Sequence, residues 1–149
     1  MTQQTLRLRV THAYNRETVI ENLTIEELAF LENLNRWFGC YLPHECPNLF
    51  QLDDFVYFLQ DEQTGLIKIG RSVNPKARLK GIRRECKRAI DLIGLIRVPR
   101  RLAQAIDTEG LFHLKFAYYR RQFAPFPKSP EWFGPAAELL NFVGQEAQS

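Results

Sequence analysis

Two short runs, Phe55-Val56-Tyr57-Phe58-Leu59 and Leu66-Ile67-Lys68-Ile69-Gly70, constrain the fold more than any other feature of the chain. Both are dense in aromatic and β-branched residues, which favour extended backbone. The polar segment 60–65 between them is long enough only for a tight reversal, so the pair predicts an antiparallel hairpin. Asn74-Pro75 then reads as a helix start, with the asparagine as cap and the proline at the first helical position. Leu79, Ile82, Cys86 and Ala89 recur at helical spacing and form the inner face of that helix. Its remaining surface carries Lys76, Arg78, Lys80, Arg83, Arg84, Lys87 and Arg88.

Further along, residues 92–98 predict a third strand, residues 101–118 one long helix, and the residues after Pro135 a last helix. Strand, strand, helix, strand, helix, helix over so short a span implies an α+β domain. The expected sheet is small and three-stranded, antiparallel or mixed, and flanked by helices. Upstream, Leu6-Arg7-Leu8-Arg9-Val10 alternates like a strand. Thr24 and Glu27 form a capping-box pattern ahead of Leu28, Leu31, Leu34 and Phe38, and Gly39 suits the helix end. Residues 40–54 read as a connector. The expected organisation is an accessory strand–helix extension over 1–50 and a main domain over 51–149.

Charge divides along the same line. Residues 1–65 hold 4 basic and 10 acidic side chains, a net of −6; residues 66–149 hold 16 basic and 7 acidic, a net of +9. A basic face of that kind is the electrostatic footprint of a nucleic-acid binder, with a solvated Lys/Arg surface as the plainer alternative. The acidic extension suits packing on the basic face, masking it, or self-association. No run reaches the roughly 18 apolar residues of a membrane span, and the first residues lack the order of a secretory signal, so the expected compartment is cytoplasmic. Cys40, His44 and Cys46 lie at short spacing, but a structural zinc site wants a fourth ligand.

The hairpin motif Val56-Tyr57-Phe58 … Ile67-Lys68-Ile69-Gly70 resembles the paired motif of the GIY-YIG nucleases. It resembles most closely a phage and mobile-element branch in which the second motif reads Lys-Ile-Gly. Arg78 eight residues after Gly70, Glu109-x-x-x-His113 ending at Phe116, and Glu131-Trp132-Phe133 agree with that branch. The first motif departs from it, reading Val-Tyr-Phe rather than Gly-Ile-Tyr. The resemblance covers residues 55–143 and implies a metal-dependent DNA endonuclease. It implies that Tyr57 activates or orients water, Arg78 clamps phosphate, and Glu109 binds Mg²⁺ or Mn²⁺.

The residue chemistry is compatible with those roles. A phenol has a reference pKa of about 10, so a base at Tyr57 needs help from a neighbouring cation or a metal-bound water. Lys68 is such a cation, and His113 is a supporting proton carrier. The alternatives are a core tyrosine, an exposed strand lysine and a histidine packed on the sheet. A guanidinium at Arg78 stays charged and grips two phosphate oxygens at once. A carboxylate at Glu109 suits a hard cation. Gly70 serves the backbone, through close approach or a positive φ. Arg71, Lys76, Lys80, Arg83, Arg84, Lys87, Arg88, Arg120 and Arg121 extend a DNA-binding surface. Aromatics near the last two arginines (Tyr118, Tyr119, Phe123, Phe126, Trp132) suit either stacking on unpaired bases or a local core. The expected partner is DNA, single strands included. The alternatives are a non-catalytic DNA-binding module and a protein-interaction module.

Overall fold

The computed structural model describes residues 8–11, 17–39 and 55–148. The connector and its Cys40, His44 and Cys46 lie outside the described residues. An N-terminal hairpin pairs β1 (Leu8–Thr11) with β2 (Glu17–Ile20), where a single strand was expected. Helix α1 (Ile25–Phe38) follows. Its capping box is complete: Thr24 N donates to Glu27 Oε1 at 2.8 Å, and Glu27 N donates to Thr24 Oγ1 at 3.1 Å. Gly39 ends the helix at φ 80°, the left-handed conformation that glycine adopts without a Cβ penalty.

The expected hairpin is β3 (Phe55–Asp61) against β4 (Ile67–Ser72), in antiparallel register with Tyr57 opposite Gly70 and Leu59 opposite Lys68. Asp61 shapes the turn by accepting from Thr64 N at 3.1 Å, Thr64 Oγ1 at 2.6 Å and Arg88 Nη1 at 2.9 Å. Helix α2 (Pro75–Cys86) starts on the Asn74 side chain, which accepts from Ala77 N. Strand β5 (Ile90–Arg97) returns to pair with β3, with a bulge between Phe58 and Leu59.

Two expectations are corrected. The sheet has four strands, not three: β6 (Trp132–Phe133) adds to the free edge of β4, giving the antiparallel order β5-β3-β4-β6. The helix expected over 101–118 is two helices, α3 (Arg100–Ala105) and α4 (Thr108–Lys115). Asp107 explains the break. Its carboxylate accepts from Gly110 N at 3.0 Å and starts α4, a local bond that competes with continued helix. Gly110 makes the cap sterically possible, since a Cβ there would overlap the Asp107 carboxylate. Helix α5 (Ala137–Glu146) closes the fold. Among the described residues, no helix is long and apolar enough to cross a membrane.

Alternation along the strands sends side chains to two different cores. Val56, Phe58, Ile67 and Ile69 face α1, α4 and α5 through Phe30, Leu34, Trp37, Phe112, Leu139 and Val143. Tyr57, Leu59 and Ile90 face α2 and a loop, through Leu79, Ile82, Phe123 and Trp132. Helix α1 therefore contributes directly to the first core. Trp37 meets the rings of Phe30, Phe38, Phe112 and Phe142. Arg101 adds a polar tie, donating to both oxygens of the buried Glu27 carboxylate at 2.8 and 2.6 Å.

Because Trp37 joins four rings across this core, Trp37→Ala is expected to cost roughly 3–5 kcal/mol. Urea unfolding followed by circular dichroism should show one earlier transition that includes the sheet. A loss below about 1 kcal/mol, within the range of ordinary surface substitutions, would mean that the sheet domain does not depend on α1.

Candidate functional site

The site forms where β6 meets the edge of β4. Lys68 and Gly70 project to the α2 side of the sheet, beside Tyr57 and Leu59. Gly70 does not have a positive φ, so its value is the close approach. A Cβ there would overlap the Cζ and Oη atoms of Tyr57, and glycine leaves the ring its place. The Tyr57 hydroxyl is buried and accepts from Lys68 Nζ at 3.1 Å. Lys68 is itself only 5% exposed, and its ammonium also contacts Glu131 Oε2 at 2.7 Å.

Glu131 immediately precedes β6, and its backbone carbonyl accepts from Ile69 N at 3.0 Å. That ladder bond holds the carboxylate at the sheet edge. From the other face, Glu109 in the first turn of α4 brings its carboxyl to the same edge, close enough to Glu131 for the two to affect each other's protonation. Arg71 Nε stands 3.2 Å from Glu109 Oε2, and Arg71 Nη1 stands 3.5 Å from Asp107 Oδ1. His113, one turn along α4, binds the Ile69 carbonyl through Nε2 at 2.8 Å. A carbonyl only accepts, so Nε2 carries the hydrogen. The same atom lies 3.4 Å from Glu109 Oε1.

Burial and neighbouring charge act differently on these groups. Burial, and next the adjacent Glu131, push Glu109 up to about 8, against the pull of Arg71. Burial would raise Glu131 as well, but the Lys68 ammonium outweighs it and holds that carboxyl below its ordinary range. Lys68 is held above its ordinary value, because Tyr57 and Glu131 outweigh a burial that works against the charge. Burial lowers His113, which favours its neutral form. Near neutrality the edge thus holds an ammonium, a carboxylate and a largely protonated carboxyl. Two carboxyl groups in contact accept a proton or a cation between them, and hard oxygen donors of this kind suit Mg²⁺ or Mn²⁺. Among the described residues, no group of three or more His, Cys, Asp or Glu gathers as a metal cluster, so such an ion would also need water or substrate oxygens.

Arg78 is exposed on α2, and no described residue pairs with it. It lines a cleft of about 310 Å³ together with Lys68, Glu131, Ala77, Gly81, Ile82, Glu85, Phe126 and Ser129. The structure therefore brings Lys68 and Arg78 to one concave surface. Tyr57 lies buried behind Lys68, and Glu109 reaches the array from the opposite face through Glu131. The remaining basic residues divide. Lys76, Lys80, Arg84 and Lys87 are exposed on or beside α2. Arg71 is turned toward Asp107 and Glu109, Arg83 donates to the Ile90 carbonyl, and Arg88 pairs with buried Asp61. Arg120 lies over the Phe133 ring, and Arg121 donates to the carbonyls of Tyr118 and Arg120.

A family model described as the T5orf172 domain matches residues 54–144. The chain belongs to the T5orf172 domain family. This match corrects the resemblance to GIY-YIG nucleases, since the family found is a different one. No curated protein and no solved structure matches the chain. The T5orf172 domain spans every residue of the edge array, from Tyr57 to Glu131, and leaves α1 outside its bounds. Within the domain, sequence reasoning assigned no role to Glu131 and placed Arg71 on the DNA-binding surface. Glu131 carried one signal, its place immediately before the Trp-Phe pair. Arg71 carried none that separates it from other arginines.

The raised Glu109 has a consequence for stability. Its folded pKa of about 8 lies above the ordinary 4.5, so its contribution to stability is complete below pH 4.5 and is lost as pH rises toward 8. Glu109→Gln removes that loss. Without metal, the variant is expected to melt roughly 4 °C or more above the wild type at pH 7.5, with the gap closing near pH 4.5. Scanning calorimetry at both pH values checks this. A variant less stable than the wild type at pH 7.5 would show that Glu109 is held as a stabilising carboxylate.

Proposed function

We propose that this T5orf172 domain hydrolyses phosphodiester bonds of DNA with a divalent metal. The observation that carries the reading is the array Lys68–Glu131–Glu109 at the end of a cleft whose wall holds the exposed Arg78, which has no side-chain partner among the described residues. Phosphodiester hydrolysis needs charge neutralisation on the phosphoryl oxygens and a positioned water, and little covalent participation by the protein. Arg78 is free to take two phosphate oxygens in a planar fork. Lys68 faces the same cleft and is fixed by Tyr57 on one side and Glu131 on the other. In this reading Tyr57 is a positioning residue, because its hydroxyl is already engaged by Lys68. His113 fixes α4 against β4 through Ile69 and so sets the reach of Glu109. A Mg²⁺ or Mn²⁺ ion held by Glu109 and Glu131 would supply charge neutralisation and an acidified water. The exposed Lys76, Lys80, Arg84 and Lys87 would hold the flanking backbone by charge alone.

Clamp and patch are separable by mutation. Arg78→Ala is expected to slow single-turnover cleavage by about 10²–10³-fold with little change in DNA affinity, because its contact strengthens as charge develops. Arg84→Ala should instead weaken binding and reduce the salt slope by about one, with the cleavage step preserved. Glu109→Gln should abolish cleavage while binding persists. Plasmid and single-stranded DNA, incubated with Mg²⁺ or Mn²⁺, give the rates, and salt-dependent titrations give the affinities. If the two arginine variants behave alike, Arg78 is one residue of a basic face and not a clamp. If the wild type cuts neither DNA with either metal, the domain binds without hydrolysis.

A further inference from the structure

We infer that the cleft between α2 and the loop leading to β6 receives one unpaired nucleobase of the strand being cut, so that the domain selects single-stranded or locally open DNA. The inference rests on the phosphodiester reading and names its substrate class. Lys68 and Arg78 stand on the cleft wall. A phosphate held between them therefore leaves its own nucleotide at the entrance. The cleft's volume of about 310 Å³ lies at the lower end of small-molecule sites, roughly 300–1,000 Å³. That accommodates a single planar base and excludes a duplex.

The walls fit such an occupant. Ala77, Gly81 and Glu85 fall at intervals of four on α2 and line the cleft with Ile82. Much of the helix otherwise carries long basic side chains, yet the middle of this stripe is bare. A Cβ built on Gly81 meets nothing within 4 Å. Opposite stands Phe126, half-buried, presenting an aromatic wall of the kind on which bases stack whatever their sequence. That wall is preformed. Phe126 N donates to the Phe123 carbonyl at 2.9 Å, and Ser129 N donates to the Phe126 carbonyl at 3.0 Å. Phe123 beneath it is fully buried and stacks on Trp132 at 3.8 Å. Pro125, Pro127 and Pro130 restrict the loop further. Ser129 and Glu85 supply polar groups for a base's ring edge. A paired base would have to leave its stack to enter, an expense that an unpaired base avoids.

Gly81→Leu tests the cleft without touching Lys68, Arg78 or the carboxyl pair. Leucine is a better helix former than glycine, so α2 is retained. Gly81→Ala controls for the loss of glycine. The probe is an oligonucleotide with one 2-aminopurine, used single-stranded and as a duplex, in metal-free buffer so that binding is read without cleavage. The wild type is expected to quench the single-stranded probe and to bind it more tightly than the duplex. Gly81→Leu should abolish the quenching and weaken single-strand affinity roughly tenfold, within the range of one lost base stack, while duplex affinity stays within about twofold. Gly81→Ala should behave as the wild type. Unchanged quenching and affinity in Gly81→Leu, or equal wild-type affinity for both probes, would overturn the inference. Cleavage is then assayed separately with Mg²⁺ or Mn²⁺. Base capture without cleavage would reject the nuclease reading and retain the cleft as a nucleobase site. Cleavage of duplex and single strands at equal rates, unaffected by Gly81→Leu, would do the reverse.

Discussion

Two partly buried carboxyl groups approach one sheet edge from opposite faces, and the rest of the site depends on their proximity. Glu109 arrives from α4 and Glu131 from the residue before β6. Like charges at this range in a partly buried place are unfavourable unless a proton or cation stands between them. Lys68 settles which of the two keeps its charge, because its ammonium is 2.7 Å from Glu131 and holds that carboxyl below its ordinary range. The result is an alternating series, from the Tyr57 hydroxyl through Lys68, Glu131 and Glu109 to Arg71, that ties β3, β4, β6 and α4 together.

The fold places those groups through a few local choices. Glycine at position 70 lets the Tyr57 ring lie against β4, and Tyr57 then holds Lys68. Asp107 stops α3 and starts α4, so that Glu109 falls in a first turn aimed at the β4 edge. The stacked Phe123 and Trp132 anchor the two-residue strand β6, whose register opposite β4 delivers Glu131. Tyr57, Phe123 and Trp132 belong to the core on the α2 face, whereas α4 packs through Phe112 on the other, so the edge is assembled from both faces of the sheet.

Much of this was legible in the sequence, for identifiable reasons. The hairpin, the Asn74 cap and the capping box at Thr24 are local patterns, and local chemistry fixes them. The break at Asp107 was masked by the apolar spacing of Leu102, Ile106 and Phe112, which suits one long helix; the carboxylate cap overrides that spacing. Strand β6 was illegible because two residues carry no periodicity, and its pairing comes from tertiary stacking. Glu131 and Arg71 share that obscurity, since their roles exist only once the edge is assembled. Tyr57 and Lys68 were candidates through the hairpin motif's resemblance to a nuclease family, with a core tyrosine and an exposed lysine as alternatives, whereas Glu109 was also legible because a carboxylate on a largely core-facing helix needs a partner. The family match to the T5orf172 domain replaces the resemblance to GIY-YIG nucleases and leaves these positions as they stand.

On the proposed nuclease reading, Glu131 and Glu109 would act as one paired site for a divalent cation. Titration of Mn²⁺ into the protein, with free ion counted by electron paramagnetic resonance, addresses it most directly when the wild type is compared with Glu131→Gln. Wild-type protein is expected to bind the ion and the amide to weaken binding by roughly tenfold or more, with the fold intact by circular dichroism. Equal Mn²⁺ affinity in the two proteins, or no binding by the wild type, would contradict it.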